Sequence, residues 1–269
     1  IPGPTLRCRE GERLRITFVN GSQHPHTIHF HGIHPANMDG VFEVVRPGGE
    51  FTYEFEARPA GFHPYHCHAT PLKKHIHKGL YGAFIIDPKE PRPPAHELVM
   101  VMNGYDTDGD GGNNFYTVNG RSFYYAKYPI SVSRSKLVRI YLANLTEFDL
   151  INSFHLHANF FDYYDPGTRL EPTLRSVDTI MQAQAQRGIL ELTFENHEPG
   201  LYIVTNKTKG HSYPVRVERV NGLMREVRIW DIALDSAKLQ SRMACTLVGK
   251  EPHLLGYWRM DERDISTIK

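Results

Sequence analysis

The chain has 269 residues, 40% of them hydrophobic and 23% charged, the composition of a globular protein rather than of a disordered or collagen-like one. Its 31 lysines and arginines are matched by 30 aspartates and glutamates, so no general attraction to nucleic acid or to a membrane surface is expected. No apolar run approaches the roughly 20 residues of a membrane-crossing helix, and the length suits two ordinary domains.

The chain opens at Ile1-Pro2-Gly3-Pro4 without a charged segment or an apolar stretch of the secretory kind, so compartment is not legible from this end. Leu14–Val19 and Phe51–Phe55 then alternate polar and apolar residues, and Ala83–Ile86 is a continuous apolar run, all signs of short strands. Between Pro88 and Ala95 four prolines rule out a central strand and favour an extended linker. A second set of strands is expected at Leu98–Met102, Val138–Leu142 and Ile189–Phe194, separated by Gly, Asn and Pro turns. Each half carries a His-x-His pair of this kind, His29/His31 and His155/His157, which suggests an internal duplication. From about Val217 the texture changes: Glu226–Trp230 reads as a strand, and Leu234–Met243 as a short helix with Asp235 or Ser236 near its start. The expected architecture is all-β, with tandem sandwiches over 1–90 and 91–204 and an atypical tail over 205–269 that contains one helix.

Histidine stands out: there are 16, and ten lie between His24 and His77. In an extended strand His29 and His31 share a face while Phe30 points to the other. The same alternation makes His66-Cys67-His68 two-sided, with two imidazoles on one side and a thiolate on the other, so that one tripeptide could join two metal centres. A thiolate, two imidazoles and a weak axial neighbour form the ligand set of a blue-copper site. His26, Cys67 and His75 fit that set, and Leu80 takes the axial place, where a non-coordinating side chain raises the copper potential relative to Met. Zinc is the competing occupant, but a zinc site gains nothing from imidazoles that flank its thiolate and face away.

His24, His34, His63 and His77 are expected to orient ligands or to face solvent, with His77 sharing a possible strand with His75. Isolated histidines such as His96, His197 and His253 read as ordinary ones. Cys8 and Cys245 have no ligand pattern around them, and three widely spaced cysteines make no disulfide framework. Asp106-Thr107-Asp108-Gly109-Asp110-Gly111 opens like a calcium loop, but Thr117 stands where a bidentate Glu is needed, so a polar turn is expected.

The motifs His29-Phe30-His31-Gly32, Tyr65-His66-Cys67-His68 and His75-Ile-His-Lys-Gly-Leu80-Tyr-Gly82 resemble those of two-domain multicopper oxidases, the laccase-like and nitrite-reductase-like cupredoxin proteins. The resemblance runs from Ile1 to about Tyr202 and includes Tyr116-Thr-Val-Asn-Gly120 and His155-Leu-His157. It implies two cupredoxin-like Greek-key sandwiches and a copper-dependent oxidoreductase. It further implies that His26, Cys67 and His75, with Leu80 beside them, hold a type 1 copper. His29, His31, His66 and His68 would join His155 and His157 in a type 2/type 3 cluster. In that family the cluster lies between domain one of one subunit and domain two of its neighbour, which implies a homotrimer. Electrons would pass from a small-molecule or redox-protein donor to dioxygen, in the periplasm or outside the cell. Copper nitrite reductases are the nearest competitor. They carry an acidic residue where this chain has His29, and a small residue where it has His68.

The chain departs from the family pattern after Pro199-Gly-Leu-Tyr202, where a second histidine pair is replaced by Ile203-Val-Thr-Asn-Lys-Thr-Lys209. His211 is the nearest histidine, and its Lys/Gly/Ser-rich setting reads as an exposed loop. Two of eight expected imidazoles are therefore missing, and the alternative function is a type 1 copper protein that carries electrons or binds copper without turnover. The tail, Gly222–Asp231 and Leu255–Asp261, resembles the end of laminin-G or concanavalin-like domains. The abrupt join between Tyr202 and Val217 marks a fusion, a recombined gene or a mis-assembled sequence.

Overall fold

The structure is a computed structural model that describes residues 2–149, 151–206, 211–218, 227–230 and 250–258. The first sandwich is built from β1 (Leu6–Arg9), β2 (Arg13–Val19), β3 (His29–Phe30), β4 (Glu50–Glu56), β5 (Gly61–His66) and β6 (Tyr81–Asp87). Alternation along β2 turns Leu14, Ile16 and Phe18 toward the core and its arginines outward, and β2 pairs antiparallel with β4. The facing sheet has the order β1-β6-β5-β3, with β1 parallel to β6. Between the sheets lie Phe30, Tyr53, Phe55, Phe84 and Ile86, with the Phe30 ring 5.4 Å from Tyr53 and 5.8 Å from Phe84. Burying one such aromatic ring stabilises by about 1.5–3 kcal/mol, more than the few ladder bonds of a two-residue strand. Phe30 is therefore what holds β3, and with it the directions of His29 and His31.

The second sandwich has two sheets. One runs β13 (Leu174–Val177), β12 (Phe161–Tyr164), β15 (Arg187–Leu192), β10 (Val138–Asn144), β7 (His96–Tyr105) and β8 (Phe115–Val118). The other runs β14 (Thr179–Ala183), β11 (Ile151–Leu156), β16 (Gly200–Asn206), β17 (His211–Glu218) and β9 (Ile130–Ser133). Leu142, Phe154, Phe161, Leu190 and Phe194 fill the space between them. A third apolar cluster joins the sandwiches: Phe62, Ile76, Tyr81 and Ile85 from the first pack with Tyr141, Tyr164 and Ile189 from the second. Beside it Arg139 donates to Glu191 and Glu97, and Arg7 to Asp87 and Glu97.

Three features differ from the sequence reading. The compact unit runs to Glu218 rather than ending at 204, because β17 pairs antiparallel along β16 and parallel to β9. His211 consequently begins a strand, opposite Asn206, instead of lying in a loop. His75 and His77 lie on a short helix, α1 (Leu72–His77), so they share no strand face. This helix, like α2 (Tyr124–Lys127), is too short to leave a periodic signature. The helix expected at Leu234–Met243 lies outside the described residues. Residues Arg219–Lys269 form a separate unit, in which β18 (Val227–Trp230) pairs antiparallel with β19 (Leu254–Trp258). No described helix is long and apolar enough to cross a membrane.

Candidate metal centre

Cys67 follows directly after β5, where its buried thiol meets two imidazoles brought from distant segments. His26 stands at a bridge with Val45, and His75 sits in α1. The Nδ1 atoms of His26 and His75 are 3.2 Å apart, and Cys67 Sγ lies 3.5 Å from the first and 3.0 Å from the second. A triangle of these sides holds an ion about 2 Å from each corner, the length of a metal–imidazole bond. Burial lowers the pKa of both imidazoles, so both are neutral donors at pH 7. One thiol and two imidazoles, with no carboxylate in the set, suit a soft or borderline metal such as copper. The backbone sets this meeting: Cys67 N–H donates to Leu80 O (2.9 Å), and Leu80 N–H to His75 O (3.2 Å). These two bonds close the 67–80 loop over the thiol. Leu80 itself is 42% exposed.

On the other side of the same tripeptide four imidazoles gather. β3 and β5 pair His29 with His66 in register. The His29 ring lies 4.9 Å from His31, 5.2 Å from His66 and 5.4 Å from His68, and His66 stacks on His68 at 6.0 Å. His31 Nε2 is 3.1 Å from His66 Nε2. A backbone carbonyl only accepts, so His29 Nδ1 donates to Asp39 O (2.7 Å) and His66 Nδ1 to Cys67 O (3.0 Å). Each bond leaves Nε2 as a bare lone pair aimed into the cluster. Burial first, then the neighbouring imidazoles, Arg187 and His63, push His31 down to about 2; burial chiefly pushes His66 down to about 4. Burial lowers His29 as well, so His29, His31 and His66 are ready to ligate without first losing a proton. His68 is held by its own N–H, which donates to Thr27 Oγ1 (2.9 Å).

The second-domain pair forms its own group. His155 and His157 lie on the outer face of the β14-β11-β16 sheet, because Phe154 and Leu156 between and beside them point into the core. Their rings are 4.5 Å apart. His155 Nδ1 donates to Asp178 O (3.1 Å) and meets Thr179 Oγ1 at 2.8 Å, again leaving Nε2 free. The register of β11 against β16 sets Thr205 opposite His155, and Thr205 Oγ1 lies 3.4 Å from His157 Nε2. A hydroxyl thus stands on β16, three residues after Tyr202. Ile151, Met181, Leu201 and Ile203 are exposed on the same sheet face.

The remaining histidines orient or pack. His34 donates to Phe30 O, His63 donates to Pro59 O and meets Arg187, and His77 lies against Phe148. His24 is exposed. The aspartates of the 106–110 turn come within ligating reach of one another, yet both Asp106 oxygens accept loop amides, from Gly109 and Gly111. Sequence reading did not find Thr27, Asp39, Asp178, Thr205 or Arg187, whose roles rest on contacts ten or more residues away and leave no local pattern.

Two models described as multicopper oxidase match the chain, one over residues 1–91 and one over 91–206. A copper resistance protein A homolog of Pseudomonas syringae pv. tomato is 40% identical over 116 residues, 40% of this chain and 19% of that protein. A copper-containing nitrite reductase of Neisseria meningitidis serogroup A is 27% identical over 228 residues, 77% of this chain and 58% of that one. The chain therefore spans less than two thirds of these curated relatives. A crystal structure of a multicopper oxidase superposes with a TM-score of 0.77 at 54% identity, over 81% of this chain and 79% of the other.

Proposed function

The chain belongs to the multicopper oxidase family, and from that membership we propose that it is a laccase-like oxidoreductase that passes electrons from a reducing donor to dioxygen. One observation carries the reading: His66-Cys67-His68 sets a thiol among two imidazoles on one side and two of four clustered imidazoles on the other. Copper at the two sites supplies one-electron oxidation of the donor and four-electron reduction of dioxygen to water. Cys67, with His26 and His75, would hold the first copper. His29, His31, His66 and His68 would hold part of the cluster, with the peptide bonds of the tripeptide as the covalent path between the sites. His155 and His157 of a second copy would complete more of it, and the exposed apolar residues around that pair suit burial in a homotrimer. The donor is a small molecule or a redox protein, and the compartment is the periplasm or the outside of the cell. His29 and His68 favour a cluster of imidazoles over the single catalytic copper of a nitrite reductase.

Thr205 favours a second reading, an electron carrier without turnover, because a threonine faces His157 and no second imidazole pair follows the Pro199–Tyr202 segment. Oxygen uptake by the copper-loaded chain during oxidation of a phenol separates the two. Uptake that stops in His155→Ala supports the oxidase. Reduction of the thiolate site by the donor with no uptake leaves the carrier.

A further inference from the structure

His75 presents its imidazole from a helix whose charges all have one sign. Residues 72–78 read Leu-Lys-Lys-His-Ile-His-Lys, with three lysines and no acid. Ile76 and His77 are buried, whereas Lys73, Lys74 and Lys78 are exposed. Lys73 is engaged by the second sandwich: its ammonium lies 5.8 Å from the centre of the Phe148 ring and beside the buried Glu147. Lys74 and Lys78 enter no ion pair among the described residues. Lys78 and Lys74, with His26 and His24, are among the groups whose charge acts most on His75. Leu80, bonded through its N–H to His75 O, adds an exposed apolar edge. The exposed residues next to His75 are therefore apolar at Leu80 and cationic at Lys74 and Lys78.

We propose that Lys74 and Lys78 make the site of His26, Cys67 and His75 selective for anionic one-electron donors. The inference rests on the copper reading of that site and names the donor class it would serve. Two exposed ammoniums, carried one residue before His75 and three after it, concentrate small anions near the imidazole and repel cations. In each encounter the donor loses one electron and the site gains it; no bond breaks and no proton moves. The lysines also lie near the end of a helix, where cations are stabilising in their own right, so the test needs a readout that helix stability does not move.

The experiment is anaerobic stopped-flow bleaching of the blue absorbance in the copper-loaded full chain, by hexacyanoferrate(II) and by hexaammineruthenium(II), across ionic strength. The expected result is that the anion's rate falls and the cation's rises as salt is added. In Lys74→Glu/Lys78→Glu the anion should slow about tenfold or more at low salt while the cation speeds up, with Lys74→Gln/Lys78→Gln between. The redox-inert hexacyanocobaltate(III) should compete with the anionic reductant in the parent and not in the double reversal. A change in copper potential would slow or speed both reductants together, and a loss of helix stability would act on both alike. Equal salt dependence for the two reductants, with the blue band intact, overturns this inference alone. Absence of the blue band overturns the copper reading, and this inference with it.

Discussion

Arg139→Met is expected to destabilise the joined sandwiches by about 3 kcal/mol, the lower end of the 3–5 kcal/mol typical when one partner of a buried ion pair is removed. Arg139 is 3% exposed and donates to Glu191 at 2.6 Å, to Glu97 at 3.1 Å and to Pro93 O at 2.8 Å. The lower end applies because neither carboxylate is left alone. Glu191 keeps the Tyr164 hydroxyl at 3.0 Å and Arg92 at 3.7 Å, and Glu97 keeps Arg7 at 2.5 Å and Tyr141 at 3.0 Å. Burial alone would raise the pKa of Glu97, but hydrogen bonds from Arg7, Tyr141 and Arg139 outweigh it and hold the group low. A carboxylate lowered in this way contributes stability above its unfolded value of about 4.3, lost as pH falls through the folded one. The gap between parent and variant should thus be full at pH 7 and shrink below about pH 4. Adding Glu191→Gln should recover about 1 kcal/mol or more of the loss, since the two sites are in contact. Urea unfolding followed by circular dichroism is the assay, because both tryptophans, Trp230 and Trp258, lie beyond the sandwiches. A loss under about 1 kcal/mol, or a gap that persists unchanged in acid, refutes the reasoning.

The metal-free chain should hold its melting temperature above about pH 7 and lose it as pH falls from about 6.5, because burial keeps His31, His63 and His66 neutral in the fold and protonation then favours the unfolded state; a flat profile to pH 4.5 contradicts this. Thr27→Val removes the acceptor of the His68 N–H and should weaken copper at the four-imidazole cluster about tenfold while leaving the blue band unchanged, measured by copper titration. Gly40→Ala places a Cβ against the Ile28 carbonyl at a φ of +75°, beside the Asp39 carbonyl that fixes His29, and should cost about 1–3 kcal/mol with loss of cluster copper, read by melting temperature and metal content. Leu80→Met should lower the copper potential in a spectroelectrochemical titration; an unchanged potential removes Leu80 from the axial role.

The two-sided logic of His66-Cys67-His68 was legible because strand alternation is local, and it survives in the structure although β5 stops at His66. The strands at Leu14 and Phe51 were legible for the same reason, and those at Leu98, Val138 and Ile189 as short apolar segments bounded by Gly, Asn and Pro turns. The position of His75 was not, since six residues between Pro71 and Gly79 form a helix for tertiary reasons, with Ile76 buried under the interdomain cluster. Nor was the closing strand β17, whose pairing with β9 joins segments some eighty residues apart in sequence. The lone pairs of His29, His66 and His155 are fixed by carbonyls at Asp39, Cys67 and Asp178, and a backbone carbonyl has no letter in the sequence.

The most direct test of the central claim is copper content together with the visible spectrum, for the parent chain and for Cys67→Ser. The account predicts an intense thiolate-to-copper band in the parent, and its loss in the variant together with about one copper per chain. Copper bound without that band, or a band that persists in Cys67→Ser, contradicts it.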